Sequence, residues 1–223
     1  PEEQEKSLEQ ATIVAHQIKS PVSTMQTILR TILGGFAGDL SDKQKDMLQS
    51  ADRKCSEAME TIKALLSLAE AGQHEPGEVA DAAAAAREAC ERYREEAESR
   101  HIQFRPSIEA DAAHVASEVD RLEEAFAGLL DNALKYTPEG GRVSLRLWVD
   151  EDSEQVRVTV ADSGIGIPEE ERDGLFRPFF RASNARQVVS SGTGLGLAFV
   201  RAVVKAAGGS ISADESEAGG AEF

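Results

Sequence analysis

Apolar residues recur every three or four positions along the first third of the chain. Leu8, Ala11, Val14, Ile18, Val22, Met25, Leu29 and Ile32 fall on one stripe, the period of a long amphipathic helix. Gly34, Gly35 and Gly38 break the pattern. Ser41 restarts it as an N-cap, with Gln44 three residues on completing a capping box. A second stripe then runs through Leu48, Ala51, Cys55, Ala58, Ile62, Leu65 and Ala69. The spacings predict two helices of about 30 residues each, joined by a short loop. Ile13, Ile28, Leu33, Leu66 and Leu68 add apolar positions that one hairpin cannot cover alone. Pairing with a second copy gives a dimeric four-helix bundle, so a homodimer is expected. By periodicity alone, a plain structural bundle serves equally well.

The pattern stops near Ala71, and Gly72, Pro76 and Gly77 mark a linker. The predicted division is a hairpin over 1–71, a linker over 72–77 and a second domain over 78–223. The second domain reads as α+β. A helix is predicted from about Glu78 to Arg100, a short strand near Ile102 to Arg105, and a helix from about Arg121 to Tyr136. Arg142 to Val149 and Gln155 to Ala161 alternate apolar and polar residues across an acidic turn, as an antiparallel hairpin does. A loop-rich stretch over 167–192 leads to a helix from about Leu195 to Ala207. A last strand is expected at Ser210 to Ala213, facing a partner that ends at Phe223.

Composition narrows the classes. Apolar residues make up 41% of the 223 and charged residues 29%, a soluble globular balance. No run approaches the roughly 18 apolar residues of a membrane span. The chain opens on Pro1 rather than Met, so a fragment of a longer protein is expected: a cytoplasmic domain, with membrane anchoring of the full-length protein left open. Acidic residues outnumber basic ones 40 to 24, for a net charge of −16. That balance argues against nucleic-acid binding, which needs Lys and Arg on phosphates. Any phosphate site has to be built locally, against the overall field. Cys55 and Cys90 lie in helical patterns and are expected to be reduced thiols.

Three segments of the second domain carry candidate chemistry. Asp162-Ser163-Gly164-Ile165-Gly166-Ile167-Pro168 directly follows a strand. A carboxylate at a strand end is well placed to accept from an exocyclic amine such as that of adenine, and Gly164 and Gly166 admit a planar ligand. Alone, such glycines more often just make a turn. Gly192-Thr193-Gly194-Leu195-Gly196-Leu197 opens a helix, where free N–H groups form an anion site. It is neither a P-loop nor a Rossmann turn; the bland alternative is a capped helix start. In Leu130-Asp131-Asn132-Ala133-Leu134-Lys135-Tyr136, Asn132 and Lys135 share a helix face. An amide oxygen beside an ammonium suits Mg²⁺ and phosphate together, although singly each residue is more often just solvated.

Together these segments resemble the GHKL-type ATP-binding domain of histidine kinases, gyrase B subunits, mismatch-repair ATPases and related chaperones. DNALKYTP is similar to that family's N box, ADSGIGIP to its G1 box, LFRPFFR to its F box and SGTGLGLA to its G2 box. The resemblance implies an α+β sandwich that binds ATP with Mg²⁺. It implies that Asn132 ligates Mg²⁺, Lys135 meets phosphate and Tyr136 lines the adenine side. Asp162 would bind the adenine amine, with Gly164 and Gly166 shaping that pocket. Backbone from Gly192 through Thr193, Gly194 and Leu195 to Gly196 would hold the phosphates beneath a lid over about 182–191. Arg181 would reach the γ-phosphate, the charge neutralisation phosphoryl transfer needs.

The first domain selects among family members. Ala15-His16-Gln17-Ile18-Lys19-Ser20-Pro21 resembles the H box of two-component sensor histidine kinases, usually H-[E/D]-x-x-[T/N]-P. A lone His on a helix would otherwise be a bland surface residue. The resemblance implies autophosphorylation of His16 from ATP and transfer to a response-regulator receiver domain. Any membrane contact would come only through an absent sensor region. Imidazole titrates near neutral pH and offers a lone pair for in-line attack. Pro21 cannot donate to the Gln17 carbonyl and is expected to bend the helix beside His16. Ser20 holds the family position that orients water for regulator dephosphorylation.

The sequence departs from the family at Gln17, where an acid usually serves as general base. An amide carbonyl can fix the ring tautomer but cannot take the proton. Slow autophosphorylation is therefore expected. The alternative is a nucleotide-binding dimeric scaffold, or a phosphatase-biased module, with weak kinase activity. A gyrase- or chaperone-type ATPase is a third reading, opposed by the His-Pro box. Ala206 and Ala207 stand before Gly208-Gly209, where the family commonly has His. The chain stops at Phe223, so an incomplete sheet edge is expected.

Overall fold

In the computed structural model, residues 2–71, 78–189 and 192–223 are described, and the side chains of 2–12 and of His16 lie outside that description. The linker expected over 72–77 and the end of the lid, Ser190 and Ser191, also lie outside it. The chain divides into two compact units, Pro1–Glu70 and Ala71–Phe223.

The first unit is a helical hairpin. Helix α1, Glu2–Leu33, runs through Pro21 without interruption, and helix α2 spans Asp42–Ala71. Gly34 N–H donates to Arg30 O at 2.8 Å, and Gly35 and Gly38 take positive φ to turn the chain. The capping box forms in part. Gln44 Oε1 accepts from Ser41 N–H at 2.9 Å, while the Ser41 hydroxyl donates to the same oxygen. The helices are antiparallel: Arg30 pairs with Asp52 at 3.2 Å, Gln26 Nε2 donates to Ser56 Oγ, and Ala15 and Val22 pack with Ile62 and Leu66.

The single predicted stripe on α1 divides. Of its members Val22, beside Ala15, is buried against α2, whereas Val14, Ile18 and Met25 stay exposed, together with Ile28 outside the stripe. At about 100° per residue these four form a neighbouring apolar face, which the hairpin does not cover.

The second unit is an α/β sandwich. Strand β1 (Ala80–Asp81) pairs with β3 (His114–Val115). A five-stranded mixed sheet has the order β2-β4-β5-β7-β6, formed by Gln103–Ile108, Arg142–Asp150, Gln155–Asp162, Ala221–Glu222 and Asp214–Glu215. Its β2–β4 pair is parallel and the rest are antiparallel. Helices α3 (Ala82–Ser99), α4 (Val119–Tyr136) and α6 (Gly196–Ala206) belong to the same unit, and α4 contacts both α3 and α6. Alternate residues Val143, Leu145 and Leu147 of β4 are buried, as are Leu130 and Leu134 of α4 and Val200 and Val203 of α6. Each such fully buried aliphatic side chain contributes about 1.5–3 kcal/mol.

Several predicted bounds shift for local reasons. Helix α3 starts at Ala82 rather than near Glu78, because Ala80 and Asp81 pair with β3. Asp81 caps the helix, accepting from Ala83 N–H and Ala113 N–H, each at 2.9 Å. The Ala113 bond foremost holds its carboxyl below the usual carboxylate range, against the opposing cost of burial. Strand β2 extends to Ile108 through Pro106, which an edge strand tolerates because it need not donate there. Ser210–Ala213 is not a strand. The hairpin lies further on, with Asp214 opposite Glu222 and Glu215 opposite Ala221, and Phe223 exchanges two 2.9 Å backbone bonds with Val160. Cys55 and Cys90 are free, and burial pushes the Cys90 thiol up to about 11.

Candidate functional site

The candidate nucleotide residues sit where four segments of the second unit meet. Asp162 ends β5 with only 4% of its surface exposed. Its Oδ1 accepts from Gly164 N–H at 2.7 Å and from Ala221 N–H at 3.1 Å. Burial raises its pKa, and these two hydrogen bonds oppose the rise. Among the described residues both bonds to the carboxylate fall on Oδ1, and none is made to Oδ2.

Asn132, Lys135 and Tyr136 lie in the last turns of α4, each half-buried. The end of that helix is held by Arg100, whose Nη1 donates to Leu134 O at 2.6 Å and Nη2 to Thr137 O at 2.8 Å. Charge-assisted bonds of this kind satisfy the carbonyls a helix end leaves open. Tyr136 O in turn accepts from Ile165 N–H at 3.3 Å, so α4 and the glycine loop after β5 are tied together. A Cβ on Gly164 would lie 2.8 Å from the Tyr136 carbonyl carbon and 2.9 Å from Asp162 Oδ1. Only glycine fits there.

The cationic end is built around Gly192. A side chain leaving Gly192 would begin 3.3 Å from Lys135 Nζ and 3.5 Å from Arg181 Cζ. Arg181 reaches back to the Gly192 carbonyl at 3.5 Å and to the Val189 carbonyl. Two cations and a backbone with φ +143° therefore converge on one spot. Thr193 Oγ1 accepts from Leu195 N–H at 3.2 Å just before α6 begins at Gly196. Gly194 has φ +69°, and a Cβ there would be 2.8 Å from both Phe179 C and Phe180 O. The glycine loop is thus pressed against the LFRPFFR segment, and Phe179 N–H donates to Gly194 O at 2.9 Å.

Helix α5, Ser183–Val188, lies within the segment expected as a lid. Asn184 Nδ2 donates to Ile165 O at 3.2 Å and Gly166 O at 2.9 Å, and Ser183 N–H donates to Glu171 at 2.8 Å. Ala182 and Ala185 are buried in a cluster that includes Tyr136, Ile165 and Ile167. Asn184, Arg100 and Glu171 have no motif signal, because each acts on a residue 12 or more positions away.

The structure thus brings together Lys135, Arg181 and Gly192 at one end, and Tyr136, Asp162 and Gly164 at the other. Gly166, with φ +67°, joins the second group through Asn184. His16, Gln17 and Ser20 belong to the other unit, in α1. Gln17 and Ser20 are exposed, and the Ser20 carbonyl accepts from Thr24 Oγ1 at 3.0 Å.

The family described as histidine kinase-, DNA gyrase B- and HSP90-like ATPase matches residues 117–223, which carry all four nucleotide segments. The solved structure of a mycobacterial sensor histidine kinase, MprB, is 32% identical, with a TM-score of 0.57 over 65% of this chain and 93% of that one. This chain belongs to the sensor histidine kinases. Among curated histidine kinases, WalK of Bacillus subtilis (strain 168) is 29% identical across 93% of this chain and 34% of its own length. The adaptive-response sensory kinase SasA of Synechococcus sp. (strain JA-3-3Ab) is 29% identical across 95% of this chain and 56% of its own. The chain spans about a third to just over half the length of these kinases. Full-length ShkA, solved in complex with AMPPNP, shares the fold at a TM-score of 0.75 over 96% of this chain, with 23% identity. No described helix is long and apolar enough to cross a membrane.

Proposed function

We propose that this histidine kinase chain transfers the γ-phosphoryl group of ATP to His16, then passes it to an aspartate of a response-regulator receiver domain. The observation that carries the reading is the convergence of Lys135 and Arg181 on Gly192, one helix end away from the buried carboxylate of Asp162. That spacing of cation and carboxylate suits a ligand with phosphates at one end and an exocyclic amine at the other.

In this reading Asp162 Oδ2 accepts from the adenine amine, Tyr136 flanks the base, and Gly164 and Gly166 leave room for it. Backbone N–H groups from Gly192 through Thr193, Gly194 and Leu195 to Gly196, at the start of α6, hold phosphate oxygens with Lys135. Arg181 offsets charge developing on the γ-phosphoryl oxygens. The residues suit Mg²⁺: Asn132 offers an amide oxygen on the Lys135 face of α4, and Mg²⁺ commonly completes its shell with phosphate oxygens and water. The ion supplies charge neutralisation at the phosphates.

The His16 lone pair forms the P–N bond as the β–γ bridging P–O bond breaks and ADP leaves with the electron pair. The ring proton then passes to solvent water. Gln17 can orient the ring by accepting its N–H but cannot remove that proton, so transfer is slow. Ser20, one turn on, orients water for dephosphorylating the regulator. The uncovered face of Val14, Ile18, Met25 and Ile28 supports pairing of two hairpins in a dimeric four-helix bundle.

Gln17 also favours a second reading, in which the dimer binds nucleotide and a regulator, mainly dephosphorylates the latter, and labels itself weakly. One assay separates the two. Incubation with γ-labelled ATP and Mg²⁺ is expected to give acid-labile, base-stable label that is absent from His16→Ala. ATP binding without label favours the scaffold. Phosphate release independent of His16 favours an ATPase.

A further inference from the structure

The C-terminal hairpin turn, Ser216 to Ala221, meets Asp162 at three points. Ala221 N–H donates to Asp162 Oδ1 at 3.1 Å, alongside the Gly164 bond to the same oxygen. The Ser216 hydroxyl donates to the Asp162 carbonyl and accepts from Ala218 N–H at 3.1 Å, and Ser216 is itself buried. Gly220 fills the remaining space. A Cβ there would fall 2.5 Å from Gly164 N and closer still to Asp162 O and Oδ1. Backbone is therefore packed against Asp162 Oδ1, at a distance only glycine permits.

From this contact we propose that the Ser216–Ala221 turn is the positioning element of the adenine-reading carboxylate. It pins Oδ1 and the Asp162 backbone, so that Oδ2 is presented in one orientation and adenine is told from guanine. The inference rests on the reading of Asp162 as the adenine contact. It assigns Ser216 and Gly220 a part in nucleotide selectivity that acts through Asp162. Desolvation fits the arrangement: a buried acceptor left unmet by guanine, which presents a carbonyl where adenine presents an amine, carries the cost of an unpaired buried group.

The test measures ATP and GTP affinities, by calorimetry with Mg²⁺, for the intact chain and for Asp162→Asn, Gly220→Ala and Ser216→Ala. Gly220→Ala is expected to weaken ATP about tenfold while leaving GTP within about twofold, and Ser216→Ala to weaken ATP alone by about threefold. Exposed Glu217→Gln, on the same turn, serves as the control and is expected to change neither. Equal losses for ATP and GTP would mean that the turn only supports the fold, and would overturn the proposal. So would unchanged selectivity in both turn variants while Asp162→Asn loses it. If Asp162→Asn keeps its selectivity, the adenine reading itself fails. Should Gly220→Ala not fold, Ser216→Ala decides by the same ratio.

Discussion

Lys135 Nζ stands 3.3 Å from the point where a side chain would leave Gly192, although 57 positions separate the two in sequence (192 − 135). The last turn of α4 thus supplies a cation close to the backbone at the start of the Gly192–Gly196 segment. Lys135→Ala is expected to weaken ATP about tenfold or more, the loss of a hydrogen bond to a charged group. GTP should weaken equally, because this end of the site does not read the base. Calorimetric affinities for both nucleotides check the prediction, and a loss confined to ATP would contradict it.

Arg100 closes the end of α4 through two carbonyls, those of Leu134 and Thr137. Arg100→Ala should lower stability by about 1.5–3 kcal/mol, from loss of charged hydrogen bonds to a partly buried helix end. Arg100→Lys should rescue little, since an ammonium cannot span two acceptors as a planar fork does. Thermal or urea unfolding of the second unit gives the difference directly.

Burial raises the pKa of Asp162, so the folded protein holds its proton to higher pH than the unfolded chain does. Folding therefore binds protons in that window, and stability contributed by this group falls as pH rises above the ordinary carboxylate range. Asp162→Asn removes the ionised form. Its melting temperature should rise relative to the parent as pH increases from about 4, levelling off once the folded parent's carboxyl has ionised. ATP selectivity should be lost in the same variant. A gap that shrinks with rising pH would reverse the sign and refute the account.

Much of this fold is legible in the sequence where the signal is periodic and local. The α1 and α2 stripes, the Ser41–Gln44 restart and the β4–β5 alternation each follow from side chains a few positions apart. The start of α3 was not legible, because Ala80 and Asp81 are claimed by pairing with His114 and Val115. Ser210–Ala213 fails as a strand for a related reason: the pairing register of Ala221 and Phe223 with β5 places the hairpin later. Within the candidate site, sequence motifs mark the proposed contacts, but nothing in the sequence marks the residues that hold them. Arg100, Asn184, Ser216 and Gly220 act on backbone atoms or a carboxylate far away in sequence, and nothing near them in the chain records the partner. The split of the α1 stripe into a covered and an uncovered face likewise needed the observed packing of α2.

That uncovered face makes a prediction of its own. Ile18→Glu combined with Met25→Glu should leave the hairpin helical, since both positions are exposed within one chain, yet abolish self-association. Sedimentation equilibrium should give a dimer for the parent and a monomer for the double variant, with circular dichroism unchanged.

In the proposed mechanism, Gln17 is the residue that slows transfer. Gln17→Glu should raise autophosphorylation by about tenfold or less, because a loose transition state draws only modestly on general-base help that elsewhere reaches about 10² to 10⁴. Initial rates at saturating ATP measure this, and a fall would mean that the side chain does not contact the ring.

The central claim is that His16 itself receives the phosphoryl group. Intact-bond mass spectrometry of the chain, digested at neutral to alkaline pH after exposure to ATP and Mg²⁺, tests it most directly. The account predicts a phosphoryl group on the peptide carrying His16, localised to the imidazole, and its absence from His16→Ala with ATP affinity unchanged. A phosphoryl group elsewhere, or none despite bound ATP, would contradict it.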